Sequence, residues 1–291
     1  MLRVTESMIF SQVTTSVAAA QRRAYHAQGV AQSGMRVSRS SDDPLSASRA
    51  NILSATLQRL EGMAGVSARA TEELTVAESA LGEATALMTR AREIAMAGAT
   101  DSMGADSRAA LALEAEGLRD QMLTLANTRV GDVFVFGGFQ TSEPPYDENG
   151  TYSGDSGARR GEIVPGTSVT MNIPGQMAFQ DTTDLFVVLE KLVTDLQAND
   201  GGSVGEALTD LENGFLQVNS ARARTGVYLA QIQTGDQLRY QLESSALVHR
   251  TESVEADINE SFNALAQTQF ALQAAVAQAQ TILSGLQSGF R

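Results

Sequence analysis

Cysteine is absent from the 291-residue chain, which excludes disulfides, thiolate metal sites and cysteine nucleophiles together. Stability then does not depend on redox compartment, so cytoplasm and exterior both remain compatible. Tryptophan is also missing and aromatic residues make up only 5%. A core must therefore be assembled from Leu, Ala, Val and Met, which suits thin helical packing better than a bulky interior. Lys191 is the one lysine, and His26 and His249 are the two histidines. Each histidine sits in a helical stretch with no second histidine three or four residues away, so a histidine metal site is not indicated. No phosphate-binding glycine loop, dinucleotide fingerprint, Ser-x-x-Lys nucleophile or calcium loop is present. The acid pairs Glu72-Glu73 and Asp42-Asp43 are explained by a solvated helix face and a helix cap. No enzyme and no cofactor are expected.

Positive charge is scarce as well. A net charge of −13 and a pI near 4.6 leave no basic stripe to neutralise phosphates or to adhere to an anionic membrane, so neither nucleic acid nor membrane is an expected partner. The apolar runs 133–136 and 185–189 are far short of a bilayer span of roughly twenty residues. The opening Met1-Leu2-Arg3-Val4-Thr5-Glu6 lacks the charged start and apolar run of a signal peptide. If the protein leaves the cell, it is expected to do so without a cleavable signal.

What the chain has instead is helical periodicity at both ends. Ile258, Phe262, Leu265, Gln269, Leu272, Val276, Ala279, Leu283, Leu286 and Phe290 step by alternating fours and threes, a heptad seam with one polar member. Ile9, Val13, Val17, Ala20, Ala24, Ala27 and Ala31 do nearly the same near the N-terminus. Each stripe is too narrow and too Ala-rich to form a globular core, so each end needs a partner helix, most simply the other end. Such arms are expected to be marginal in a monomer.

Between the ends, the spacing predicts a helix over 8–32, a polar loop over 33–43 and a long helix from Pro44 toward Met96. Asp43 is placed to cap that helix, with Pro44 at its first position. Gly98 and residues 100–104 read as a break, and 107–128 as the next helix. Residues 131–139 cluster Val and Phe like a strand, and Asn149-Gly150 between Tyr146 and Tyr152 reads as a hairpin turn. Four of the five prolines lie between 144 and 174, so 139–179 is expected to be a small β-rich insert. Helix resumes at Asp184, stops near residues 199–202, and runs as one final region from about Ser203 almost to Arg291. The expected fold class is mainly α: an elongated helical bundle with paired N- and C-terminal coiled-coil helices. The expected divisions are terminal helices over 1–40 and 255–291, a helical rod over 41–138 and 180–254, and an outer domain over 139–179.

Three stretches resemble the flagellin superfamily of bacterial flagellar axial proteins. The first is Ser33-Gly34-Met35-Arg36-Val37 leading to Ser41-Asp42-Asp43-Pro44-Leu45. The second runs from Ala126-Asn127-Thr128 through Phe134-Val135-Phe136-Gly137 to Thr141, and looks like the hook–filament junction branch of that superfamily. The third is Asp257-Ile258-Asn259-Glu260 followed by Gln269-Phe270-Ala271-Leu272. Arg3-Val4-Thr5-Glu6 is also closer to the junction branch than to flagellin, and Gly289-Phe290-Arg291 departs from flagellin's leucine-rich ending.

The resemblance implies a structural protein at an extracellular site, the bacterial flagellum, exported unfolded by the flagellar type III apparatus. Its implied partners are copies of itself in a ring, the neighbouring hook-associated protein 1, flagellin, the export apparatus and an export chaperone. The motif residues are Gly34, Arg36, Asp42, Asp43 and Pro44, with Asn127, Thr128, Phe134, Phe136 and Gly137 as the junction-type strand. The terminal seam (Ile9, Val13, Val17, Ile258, Phe262, Leu265, Leu272, Val276, Leu283, Leu286) is implied to assemble. A short flagellin remains the close alternative. A soluble helical signalling module is the alternative of another class, against which the Pro/Gly-rich middle already counts.

Overall fold

The structure, a computed structural model, describes residues 2–288, without the side chains of 2–6, 283 and 286–288. The order of elements is α1 (Leu2–Ser33), α2 (Pro44–Gly98), α3 (Ala105–Ala126), β1 (Arg129–Val130), β2 (Val133–Phe134), β3 (Arg160–Val164), β4 (Thr167–Thr170), α4 (Gly175–Phe179), α5 (Leu185–Gln197), α6 (Gly201–Val254) and α7 (Ile258–Ser288). The protein is mainly α, with two small antiparallel sheets, β1–β2 and β3–β4.

Two expectations need correction. The final helical run is two helices, because Glu255–Asp257 break it: Ala256 N–H donates to Gly34 O across another turn, and Asp257 Oδ1 then caps α7 through Asn259 and Glu260. The stretch 131–139 is not one strand. Only Val133 and Phe134 pair, against Val130 and Arg129, while Val135 and Phe136 are both buried. That burial breaks the alternation a half-exposed strand requires, and Gly137 and Gly138 turn the chain away.

The chain divides into two compact units. One comprises Met1–Gln58 and Glu243–Arg291, the other Arg59–Leu242, so α2 and α6 each contribute to both. In the middle unit, α2 and α6 are tied by ion pairs Glu78–Arg222 at 2.7 Å and Arg92–Glu212 at 2.6 Å. Residues of α2 (Leu81, Met88, Ile94), α3 (Ala115, Met122), α5 (Leu185, Leu189, Leu192) and α6 (Leu211, Val218) share one core. Small residues let these helices approach closely. A Cβ on Gly98 would stand 2.5 Å from Leu196 Cδ2. The hairpin β3–β4 caps a second cluster in which Ile163, Val164 and Val169 meet Leu74 and Ile232. Asp184 starts α5, its carboxylate accepting from Phe186 and Val187 N–H, as the sequence predicts for such a residue.

Candidate assembly site

The site is built where the α1–α2 turn meets the α6–α7 turn, within the terminal unit. Helix α1 ends because Gly34 takes φ +70°, a left-handed conformation open to glycine and costly for most residues. Its N–H still reaches Val30 O at 2.8 Å, closing the helix. The next residues lie against the end of α6: Arg36 and Val37 N–H both donate to Val254 O, at 2.8 and 3.2 Å, and Ala256 N–H donates to Gly34 O at 2.9 Å.

Asp42 and Asp43 divide the labour of the turn. Asp42 Oδ2 accepts from Arg39 N–H at 2.8 Å and from Ser38, and these bonds, that of Arg39 foremost, hold its carboxyl below the usual range. Asp43 Oδ1 accepts from Leu45 and Ser46 N–H, so it is the N-cap of α2 with Pro44 at the first helical position. The Ser46 hydroxyl donates to Asp43 Oδ2 at 2.6 Å. That hydroxyl, then Ser46 N–H, then Arg36 lower the Asp43 carboxyl from an ordinary 3.8 to about 2. The Arg36 guanidinium spans the whole assembly: Asp43 Oδ2 at 3.2 Å, Ser46 Oγ at 3.2 Å and Ser253 O at 2.9 Å.

From this elbow α1 and α7 run antiparallel against one another. On α1 the half-buried face is Val13, Val17, Ala20, Ala27 and Ala31, with Ala24 fully buried and Ile9 still 41% exposed. On α7 the covered face is Ser261, Leu265, Thr268, Leu272, Ala275 and Ala279. Leu265, Leu272 and Ala279 belong to the seam read from the sequence; the row beside them is Ser261, Thr268 and Ala275. Those small side chains allow close helix approach, so the chain uses this row itself. The larger row on the other flank stays open: Ile258 is 66%, Phe262 57% and Val276 38% exposed, and Gln269 is exposed too. Phe270, at 76% exposed, adds to that surface. The side chains of Leu283 and Leu286, and Phe290 entirely, lie outside the described residues.

A groove of about 710 Å³ runs along the junction of α1 and α7, floored by Ala19, Ala27, Val30 and Ala264 and rimmed by Arg22, Arg23, His26, Asp257 and Glu260. His249 Nδ1 lies 3.2 Å from Glu252 on an exposed face. Among the described residues no group of three His, Asp or Glu side chains could hold a metal ion.

The junction-type residues lie in the middle unit. Asn127 follows α3, and its side-chain amide accepts from Tyr146 N–H and donates to Tyr146 O, both at 3.0 Å. It thus imitates one rung of a sheet. Thr128 O accepts from Val135 N–H at 3.1 Å, and Phe134 N–H donates to Thr141 O at 2.9 Å. Phe136 is fully buried, edge-on to Phe179 with ring centroids 5.1 Å apart. Its carbonyl accepts from Tyr152 Oη–H and Gly175 N–H. Burial pushes the Tyr152 phenol up to about 12, which keeps it a neutral donor. A Cβ on Gly137 would lie 2.0 Å from Gln140 O, so the turn requires glycine. These contacts brace the insert.

One residue that carries structure escaped sequence reading. Arg108 on α3 is 5% exposed and donates to Gly98 O, Thr100 O and Asn199 Oδ1. It closes the C-terminus of α2 and pins the α5–α6 turn, where Asn199 has φ 56°. The one signal available was its place after a break that leaves helix carbonyls unsatisfied.

The family model described as the bacterial flagellin N-terminal helical region matches residues 4–141, which includes the α1–α2 turn and the junction-type strand. Flagellar hook-associated protein 3 of Salmonella typhimurium is 24% identical, with 94% of each chain covered. The protein of the same name from Escherichia coli is 27% identical, over 87% of this chain and 88% of its own. Among solved structures, flagellar hook associated protein-3 from Legionella pneumophila superposes with a TM-score of 0.63 at 14% identity, covering 69% of this chain and 98% of that one. The chain thus carries paired terminal helices and a capped α1–α2 turn, resembles the flagellin family over its N-terminal helical region, and is similar to flagellar hook-associated protein 3 along most of its length.

Proposed function

We propose that this chain is a structural component of the bacterial flagellum that joins hook to filament, adapting the hook-side ring to flagellin. The observation that carries this reading is similarity to hook-associated protein 3 of two bacteria over most of both chains. The open row Ile258, Phe262 and Val276 on α7 supports assembly as the means. These side chains are too large and too exposed to serve the monomer, and burying them against neighbours offsets the entropy of ordering the arms. Contacts of a ring or tube are heterologous, one face of a subunit meeting a different face of the next. The proposed partners are copies of itself, hook-associated protein 1 on one side and flagellin on the other. Export through the type III apparatus with a chaperone, to an extracellular site, belongs to the same proposal. So do the terminal, rod and outer divisions at 1–40 with 255–291, 41–138 with 180–254, and 139–179.

The test mixes the purified chain with sheared filament seeds under electron microscopy. The expected result is no elongation, with the chain bound at hook tips or bare junctions. Long new filament would make the protein a flagellin and overturn the adaptor reading.

A further inference from the structure

We infer that Asn149 is a site of spontaneous deamidation in the folded chain, and that the fold, not the local sequence, selects it over Asn213. The inference concerns the middle unit alone and holds whichever flagellar assembly the chain enters.

The sequence contains two Asn-Gly steps, and both sit in the same tripeptide: Glu148-Asn149-Gly150 and Glu212-Asn213-Gly214. Asparagine before glycine is the step most open to this reaction, because no side chain on the following residue hinders ring closure. The Gly150 nitrogen, having lost its proton to solvent base, attacks Asn149 Cγ. A C–N bond forms, and the Asn149 Nδ2 group takes up a proton and leaves as ammonia. Water then opens the resulting succinimide. Addition at Cγ gives aspartate, whereas addition at the main-chain carbonyl carbon gives isoaspartate, whose backbone is one methylene longer. One water enters, one ammonia departs, and no oxidant or cofactor is consumed.

Exposure does not separate the two sites. Both asparagines are exposed and both glycines are buried. A Cβ on Gly150 would stand 2.5 Å from Phe186 Cγ, and one on Gly214 2.4 Å from Leu185 Cδ2. What differs is the backbone that must rotate before the ring can close. Asn213 lies well inside α6, a helix of 54 residues, so turning its Cα–C bond breaks consecutive i→i−4 bonds and pulls Gly214 off Leu185. Asn149 lies at the tip of a hairpin closed by the Tyr146–Tyr152 bridge. Its turn is held by Gly150 N–H to Asp147 O at 3.0 Å, and by Asn149 and Thr151 N–H to Asp147 Oδ1 at 2.9 and 2.8 Å. These bonds can open locally without unwinding a helix.

The product would alter the way the insert is seated. Gln180 Nε2 joins Gly150 O, at 3.0 Å, to Asp184 Oδ2, at 2.7 Å, and Asp184 caps α5. The longer backbone of isoaspartate carries Gly150 out of line with Gln180 and Phe186, which loosens the hairpin from the start of α5.

The test ages the purified full-length chain in mildly alkaline buffer, folded and in urea, and follows conversion at both sites by tandem mass spectrometry of peptic peptides. Unfolded, the two asparagines should convert at similar rates. Folded, Asn149 should convert roughly a hundredfold faster than Asn213, the scale separating local fraying from the opening of a core helix. Asp147→Ala, which removes the acceptor for Asn149 and Thr151 N–H, should hasten conversion at Asn149 several-fold and leave Asn213 unchanged. The proposal is overturned if Asn149 stays intact in the folded chain while the unfolded chain converts, or if the two folded sites convert alike. It is equally overturned if Asn149 already outpaces Asn213 to the same extent in urea, or if Asp147→Ala leaves Asn149 as slow as before.

Discussion

The terminal unit and the middle unit are both helical, yet they hold together by different means. The middle unit buries Leu, Met, Ile and Phe side chains in two clusters, one shared by α2, α3, α4, α5 and α6 and a smaller one under the β3–β4 hairpin. Among the described residues of the terminal unit, the buried apolar side chains are Ala24, Val37 and Ala246 alone. Its cohesion rests on backbone bonds at the elbow, the Asp43 cap and a half-covered seam. The middle therefore specifies itself, while the ends hold large apolar groups such as Phe10, Ile258, Phe262 and Phe270 exposed around almost no buried core. A protein that must be stable as a monomer and adhesive as a subunit can be built by separating the two properties along the chain.

The comparison is broken most severely by damaging the middle. Phe136→Ala empties a fully buried site against Phe179 and should cost about 3–5 kcal/mol. Denaturant unfolding followed by circular dichroism should show a large fall in midpoint. A loss under about 1 kcal/mol would mean the aromatic cluster is not part of the middle unit's cooperative core. Arg108→Met should follow at about 2–3 kcal/mol, because the carbonyls of Gly98 and Thr100 lose their donor inside the protein. Equal stability of this variant would show that water or a rotated neighbour satisfies both carbonyls.

Much of this division is legible in the sequence, for reasons that differ by element. Asp43-Pro44 and Asp184 announce helix starts because capping chemistry is local, and Asn199, at φ 56°, marks a stop by its tolerance of the left-handed region. The break at Glu255–Asp257 has no glycine or proline. It is made by Gly34 O and Val254 O, partners more than two hundred residues apart that no local window contains. A signal did exist in Asp257-x-x-Glu260, a capping pattern inside an apparently continuous helix. The α7 seam shows a further limit. Periodicity identifies the shared row Leu265, Leu272 and Ala279, but two flanking rows satisfy it equally. The chain packs the small one and leaves the large one open.

A gentler probe of the terminal unit is acid. The Asp43 carboxyl is held at about 2 against an ordinary 3.8, so its folded form is stabilised while ionised. That contribution is complete above the ordinary value and disappears as pH falls through about 2. Asp42, lowered by Arg39 and Ser38, acts in the same direction. Both groups are solvent-exposed, so the effect should be modest and weaker in high salt. Helicity of the unmodified chain should decline between pH 4 and 2, and Asp43→Ala should flatten part of that decline while being less stable at neutral pH. An acid response of unchanged size would remove the cap from the account of the terminal unit.

The smallest expected effect on the monomer is the most informative about what the ends are for. Phe262 is 57% exposed on α7, and its truncation to Ala should change monomer stability by less than about 0.5 kcal/mol. The sign could even favour the variant, since Ala is the better helix former. Leu265, one step around the helix, is half-buried against α1, and its truncation should weaken the monomer's terminal pair. If Phe262 faces a neighbouring subunit, the order reverses on assembly. Phe262→Ala should fold as well as the unmodified chain yet fail to join hook tips in the electron-microscopic assay, because the aromatic ring is then missing from the centre of a contact. Incorporation of Phe262→Ala at the unmodified level would show that the open row is merely solvated and that assembly uses another face of the terminal pair.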